Sequence, residues 1–600
     1  MTIVKKPRSP RADSRSPSAS GETVSSEQAS ADSPTTAAES QPAASPVPWY
    51  ASVGVLGCAG SLLLWASHPP LGGSALAWVA LLPWLQLIRQ PQLTGRRPYL
   101  VLYGAGLLFW LMLLQFLRLP HPAGYLGWFV LSAYLAAYVP AFIGLSRVAV
   151  HSWRIPLPLA AAAVWTGLEL MRAYFATGIA AFMLAHTQVA WLTLIQCADL
   201  IGGYGLSFLI VFCSSCLLSC WPQSGRRLQL RPVLASLLLL VAALGSALGY
   251  GSWRLGQNQM ASTDSAPGKT ASVALIQGSH DTIFGSTPER EEQAFDDYCT
   301  LTREARAAKP DLDLIIWPET MLPPVDALLD DEPQTPGDGA DPPADRNRRR
   351  VQNTAFAAKG CIARWEPNRM LHSPDVKLMA GCQTLRFRDE KLTDVYNSVL
   401  LFNSSNLIED RYFKTHRVLF GEYVPLADMF PWVYDLTPMP QGLTAGTQAR
   451  AMEAGGLRWM PLICFESIQP QVVFWQQREL ARQGKRPQVF VNLTNDGWFW
   501  GSSALDHHFH CNVFRAVEFR TPMVVAANTG FSGWIDGDGR VRAKGPRRES
   551  QPVYAEVQPD GRRSWYGWWG DLPASLMLLF AACCAVGGWR QRRQNRNRQA

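Results

Sequence analysis

The sequence predicts a helical membrane bundle of about eight spans that carries one large layered α/β domain outside the cytoplasm. Three observations predict it. Apolar windows near the length of a bilayer crossing recur through the first half of the chain and once more near its end. Arginines collect after every second window. Between the seventh and eighth windows, short β-rich runs alternate with helix-compatible stretches.

Residues 1–46 are rich in Ser, Pro and Ala, with almost no large apolar side chains. Such a segment cannot bury enough surface to offset its ordering entropy, so it reads as a disordered tail. It also lacks the early apolar core of a cleavable signal peptide. The seven-span bundle is expected over 47–252, with windows at about 50–66, 73–90, 99–117, 124–146, 157–173, 193–218 and 230–252. An eighth follows at 569–588, and 589–600 forms a basic tail. The fifth window is the weakest because Glu169 and Arg172 lie near its end.

Charge orients the bundle. Arg89, Arg96 and Arg97 follow the second window, Arg147 and Arg154 the fourth, and Arg226, Arg227 and Arg231 the sixth. Arg590, Arg592, Arg593, Arg596 and Arg598 follow the eighth, whereas the links after odd-numbered windows are nearly free of Lys and Arg. The positive-inside rule places both termini in the cytoplasm and residues 253–568 outside. The net charge of +8 is then mostly a topology signal, and nucleic acid is not an expected partner.

Within 253–568, the runs ASVALIQG (271–278), LDLIIWPE (312–319), VKLMAGC (376–382), YNSVLLFN (396–403), RWMPLICF (458–465), PQVFVNLTN (487–495) and TPMVVAAN (521–528) read as strands. Their near-continuous apolar character implies sheets covered on both faces. Residues 289–308 and 503–520 read as helices, and 330–350 as a Pro/Gly/Asp-rich surface insertion. Five of the twelve cysteines fall in this domain: Cys299, Cys361, Cys382, Cys464 and Cys511. An odd number outside the cytoplasm leaves at least one thiol unpaired.

Three strand ends bear side chains suited to nucleophilic chemistry. Cys464 closes the run RWMPLICF, Glu319 follows IIW after a proline that ends the ladder, and Lys414 lies in RYFKTHRVLFGEYVP. A thiol needs a base to become a nucleophile and positive charge where an oxyanion develops. Taken singly, Glu319 reads as a turn carboxylate, Lys414 as a solvated amine and Cys464 as a small buried hydrophobe. The combination carries the argument. The order WPE, KxHxVxFGEYVP, ICFE and NLTNDGWF resembles the nitrilase, or carbon–nitrogen hydrolase, superfamily. LIQCADLIGGYGLSFLIV (194–211) and VWTGLELMRAYFATG (164–178) resemble the membrane part of the bacterial apolipoprotein N-acyltransferase family.

The resemblance implies a nitrilase-like αββα sandwich with Glu319 as general base, Lys414 as oxyanion stabiliser and Cys464 as nucleophile. Glu422 and Glu466 match the supporting carboxylates. It implies acyl transfer through a cysteine thioester, from a phospholipid such as phosphatidylethanolamine to the N-terminal amine of a diacylglyceryl apolipoprotein. It further implies a monomer in the bacterial inner membrane, with a periplasmic catalytic domain and no cofactor. The alternative is a membrane-tethered amidase or hydrolase using the same triad with water as acceptor. Two departures stand out: Phe465 replaces the family's tyrosine, and SHDTIFGSTPER (279–290) replaces its usual continuation after LIQG. Trp432, Trp498 and Trp500 are candidates for the headgroup layer, with domain core as the competing reading. His507, His508, His510 and Cys511 cannot all point at one ion from one helix, so no metal site is expected. Asn495, Asp496 and Trp498 are expected to shape the site.

Overall fold

The computed structural model describes residues 51–221, 229–264, 270–283, 286–324, 326–329, 376–388, 391–404, 407–425, 427, 429, 430, 432, 434 and 442–599. The expected tail (1–46) and surface insertion (330–350) lie outside the described residues, as does Cys361.

The described residues open with apolar helices: α1 (Val53–Ser67), α2 (Leu82–Arg89), α3 (Pro98–Leu113), α4 (Gly124–Ala136), α5 (Leu157–Tyr174), α6 (Ala198–Ser219) and α7 (Leu230–Asp264). Among the described residues, four apolar segments are long enough to cross a bilayer: Gly124–Ser152, which extends α4, Ala198–Ser219, Leu230–Gln257 and Leu572–Arg598. The expected first three spans form apolar helices of only 10–17 residues. At the helical rise these fall short of a straight crossing. Helix α7 runs past position 252 to Asp264.

The charges that weaken the fifth window have a structural reason. Glu169 accepts a hydrogen bond from Leu184 N at 2.9 Å, and Arg172 donates to the carbonyls of Ala181 (2.8 Å) and Phe182 (3.3 Å). Both side chains are buried and satisfy the irregular chain after α5, where little water is present to do so.

Beyond α7 the chain builds two sheets. The strands are β1 (Ala271–Gln277), β2 (Leu314–Trp317), β3 (Asp326–Leu329), β4 (Lys377–Arg388), β5 (Lys391–Phe402), β6 (Ile408–Phe413), β7 (Met452–Ala454), β8 (Leu457–Ile463), β9 (Val489–Thr494), β10 (Met523–Ala527), β11 (Gly533–Ile535), β12 (Val541–Lys544) and β13 (Gln551–Val557). One sheet runs β13-β1-β2-β4-β5-β6, with β3 also on β4, and the other runs β12-β11-β10-β9-β8-β7. Strands β1, β2 and β4 pair in parallel, as do β8, β9 and β10. Every residue of β1, β9 and β10 is buried. This is the pattern of parallel strands covered on both faces, and it explains their unbroken apolar runs.

Alternation along each strand makes the layers. Val273, Leu275 and Ile316 face Trp459, Val491 and Val524 between the sheets. Ala274, Ile276 and Ile315 turn outward against Phe295, Tyr298 and Leu301 of α8 (Pro288–Ala308). That helix starts where the sequence says it should: Thr287 caps it by accepting from Arg290 N, Pro288 opens it, and Glu289 and Glu291 occupy its first turn. The outer face of the second sheet packs on α9 (Pro470–Arg482) and α10 (Ala504–Phe519). The same apolar cluster continues through Leu206 and Ile210 of α6 into the bundle. The final helix, α11 (Leu572–Gln599), returns beside α5.

Polar ties seal this junction. Gly203 N donates to Glu518 Oε1 at 2.8 Å, and Gln469 Nε2 donates to Gly178 O at 2.8 Å. Helix α6 bends at Gly202, where φ is +70° and an added Cβ would stand 2.7 Å from the Tyr566 ring. Only glycine meets both demands at low cost.

Candidate active site

The site lies where strand ends from both sheets meet. Glu319 leaves β2 just after Pro318, which cannot extend the ladder. Gly381 on β4 lets this turn come close, because a Cβ there would lie 2.6 Å from Glu319 Cα. Lys414 immediately follows β6, and its backbone N–H donates to Asn397 O on β5 at 2.8 Å. Glu319 Oε1 accepts from Asn397 Nδ2 at 2.7 Å and from Lys414 Nζ at 3.3 Å, and its Oε2 accepts from Asn495 N at 2.9 Å. Lys414 Nζ reaches a second carboxylate, Glu422 Oε1, at 2.8 Å. Glu422 is itself held by Val418 N (2.8 Å) and Asn397 Nδ2 (3.1 Å).

Cys464 is the first residue after β8, and it opens a short 3₁₀ turn with φ at +51°. A side chain with a Cβ rarely takes this backbone region, and strain of this kind costs about 1–3 kcal/mol unless neighbours fix it. The turn lifts the half-buried thiol off the strand toward Glu319 and Lys414, close enough to feel the charge of both. Burial pushes the Cys464 thiol well above its ordinary pKa; Glu319 adds to this and Lys414 opposes it. At neutral pH the resting group is therefore a thiol. Burial pulls the Lys414 ammonium down, but Glu422 and Glu319 more than offset this and keep it charged.

Glu466 works from behind. Its carboxylate accepts from Ile463 N (2.9 Å), from Thr415 N (2.8 Å) and Oγ1 (2.7 Å), from His416 N (3.1 Å) and from the Tyr412 hydroxyl (2.8 Å). It thereby staples the segment bearing Lys414 to the turn bearing Cys464. Phe465 stacks its ring on His416 with centroids 6.0 Å apart, so the ring alone does the packing at that position.

The histidines of α10 separate. His508 turns to the Cys464 turn, with Nε2 3.1 Å from Cys464 O. His507 points into the bundle, against Phe182 (ring centroids 4.6 Å) and His68 (5.9 Å). Asn495 holds Glu319 through its backbone, and Asp496 Oδ1 lies 3.0 Å from His508 Nδ1. Trp432 is 60 % exposed and Trp500 is 48 % exposed, whereas Trp498 is half-buried. Phe499 between the latter two packs edge-on against Phe116 of the bundle, with centroids 5.4 Å apart.

Sequence reasoning missed Asn397, Gly381 and His508. Asn397 sits in the run YNSVLLFN, where one amide among apolar residues is the available signal. His508 was hidden by its histidine neighbours, which share its helix but not its face.

A two-sheet sandwich with this cluster at its strand ends, joined to apolar helices, defines a carbon–nitrogen hydrolase domain on a membrane base. The carbon–nitrogen hydrolase model matches residues 272–566, and the model of the apolipoprotein N-acyltransferase N-terminal domain matches residues 60–216. A curated relative, the apolipoprotein N-acyltransferase of Rhodopirellula baltica, is 33% identical over 90% of this chain and 98% of its own length. The Geobacter metallireducens apolipoprotein N-acyltransferase is 32% identical, covering 88% of this chain and 94% of its own. The chain belongs to the apolipoprotein N-acyltransferase family.

Proposed function

We propose that this acyltransferase moves a fatty acyl group from a membrane phospholipid to the N-terminal amine of a diacylglyceryl apolipoprotein, through a thioester on Cys464. The observation that carries the reading is the Glu319–Lys414 pair, 3.3 Å apart beside a thiol raised on a left-handed turn, in a domain whose core is continuous with apolar helices.

Glu319 takes the thiol proton as Sγ attacks the ester carbonyl carbon of the donor. The carbonyl oxygen becomes negative, and Lys414 supplies the compensating charge in a water-poor site. Collapse breaks the ester C–O bond, and Glu319 returns its proton to the departing alkoxide to release a lysophospholipid. The acceptor ammonium loses one proton to solvent, and its amine attacks the thioester carbon. Glu319 takes a second proton from that nitrogen and gives it to the leaving sulfur, which restores the thiol and completes the amide.

We place the membrane region at 47–252 and 569–588, the catalytic domain at 253–568 on the periplasmic side and the terminal segments 1–46 and 589–600 in the cytoplasm of a bacterial cell. The arginine distribution supports that orientation. Exposed Trp253 on α7, and Trp565 and Trp568 just before α11, support a membrane boundary at the catalytic-domain end of these helices, since a headgroup layer attracts aromatic rings on either side of a bilayer. We take phosphatidylethanolamine as the donor, the apolipoprotein as the acceptor and the monomer as the working unit. The test is direct. Purified enzyme in phosphatidylethanolamine vesicles, given an N-terminal diacylglyceryl-cysteine peptide, is expected to form N-acylated peptide and lysophospholipid in equal amounts. Free fatty acid without acylated peptide would make the protein a hydrolase.

A further inference from the structure

Beneath the nucleophile lies a buried polar chain that the acyl-transfer scheme does not use. His508, on α10, is flanked on one side by Asp496, with Nδ1 3.0 Å from Oδ1. That carboxylate also accepts from Thr494 Oγ1 at 3.0 Å. On the other side, Nε2 stands 3.1 Å from the Cys464 carbonyl oxygen and 3.1 Å from Ser467 Oγ. Asn492 Nδ2 lies 3.2 Å from Nε2 and donates to Ser467 Oγ at 2.9 Å, while Ser467 Oγ donates to the same Cys464 carbonyl at 3.2 Å. Asn512 closes the shell, donating to His508 O at 3.1 Å.

The Asn492 amide near Nε2 donates to Ser467 Oγ, which leaves the Asp496 carboxylate and the Cys464 carbonyl as acceptors on either side of the ring; a ring held between them donates from each nitrogen. We propose that His508 is a positioning residue for the acylation step: an imidazolium paired with Asp496, its Nε2–H clamps the Cys464 carbonyl and holds the nucleophile in its left-handed turn. This rests on the reading of Cys464 as the acyl carrier. The carbonyl belongs to the residue whose φ is +51°, so the clamp acts on the peptide that sets the direction of Sγ.

The charged surroundings agree. Burial alone would strip the proton from His508, but Asp496 more than offsets this and raises its pKa above the ordinary 6.5; Glu319 and the Cys464 carbonyl act in the same direction. His507, the adjacent ring on α10, faces His68 and Phe182 instead. His510 is held near Asp506 and Lys544 and is pushed down to about 4 by burial. His508 is thus the one histidine of its helix turned toward the nucleophile and favoured as a cation.

The sign follows. If the imidazolium is required, thioester formation declines as pH rises through the raised His508 pKa, giving an alkaline limb above pH 6.5. The experiment follows acyl-thioester formation from phospholipid by intact mass across pH, in wild type, His508→Gln, His508→Ala and Asp496→Asn. Glutamine keeps a neutral donor for the carbonyl, so His508→Gln is expected to lose about tenfold at neutral pH and to lose the alkaline limb. His508→Ala removes the donor and is expected to fall about a hundredfold, also without that limb. Asp496→Asn is expected to move the limb to lower pH. Thermal unfolding checks that each variant folds, and His508→Gln carries the test alone where His508→Ala does not. A His508→Gln profile superimposable on wild type, or an alkaline limb that persists unmoved in it, overturns the proposal. Absence of a thioester in wild type would instead overturn the reading of Cys464 on which it rests.

Discussion

Two buried ion clusters in this chain pair cations with carboxylates in different proportions. At the junction between bundle and sandwich, Asp199 on α6 accepts from Arg254 Nε at 2.7 Å, Arg520 Nε at 2.8 Å and the Tyr250 hydroxyl at 2.5 Å. Arg520 continues to Asp538 (3.0 Å) and to Gln196 Oε1 (2.6 Å), and Arg562 bridges Asp538 (2.6 Å) and Asp560 (2.5 Å). Three arginines meet three aspartates in this chain of contacts. In the catalytic cluster one ammonium, Lys414, meets two carboxylates, Glu319 and Glu422, beside a thiol. Balance makes the junction inert, since moving a proton there would strand a buried charge. The excess carboxylate in the site makes a proton acceptor available next to a thiol that burial keeps protonated. In the proposed mechanism the thiolate forms only as Glu319 takes the proton, which would tie ionisation to attack.

The sharpest way to break this contrast is Glu319→Gln. The isosteric amide keeps the size of the side chain and removes its basicity. Thioester formation is expected to fall about 10²–10⁴-fold, the usual worth of a positioned acid–base group, with the thermal unfolding temperature nearly unchanged. A normal rate of adduct formation, measured by intact mass, would mean that another group accepts the proton.

The junction is expected to answer in the opposite way. Arg520→Met leaves the Asp199 carboxylate fully buried with one cation fewer, and breaking such a pair costs about 3–5 kcal/mol. The expected outcome is a lower unfolding temperature in detergent, with turnover per folded molecule retained. Equal loss of turnover and stability would show that the two clusters are not separable, and that the junction shapes the site.

The contrast also explains what was legible. Glu319 and Cys464 each follow an apolar strand, whereas Lys414 follows the charged β6; the order of the motifs WPE, KxHxVxFGEYVP and ICFE made the three legible together. The seven strands expected from apolar runs all form. β6 (IEDRYF) and β12 (VRAK) escaped because edge strands carry charges that read as loop. Asp199 and Arg520 are 321 positions apart, and no local pattern announces their meeting. The bundle was legible as apolar helices, while the helices at its first three expected spans are shorter than a straight crossing. Glu169 and Arg172 looked like faults in a span, yet they satisfy the backbone of the irregular turn that follows it.

The smallest expected effect concerns the segments that continue from the site. Trp432 and Trp500 are exposed ten residues beyond Glu422 and four beyond Asp496, and Trp432 stands with exposed Phe430, ring centroids 6.5 Å apart. Exposed amphipathic rings favour a headgroup layer over water. Replacing both tryptophans with serine is expected to slow acyl transfer from vesicles several-fold, on the scale of one or two lost interfacial contacts. Thioester formation from a short water-soluble ester should change little, because neither ring touches Glu319, Lys414 or Cys464 in the contacts described above. Measuring both donors with the same variant separates lipid access from chemistry. Equal slowing with the two would place these rings in the packing of the catalytic domain, and the boundary between the reactive cluster and its surroundings would have to be drawn wider.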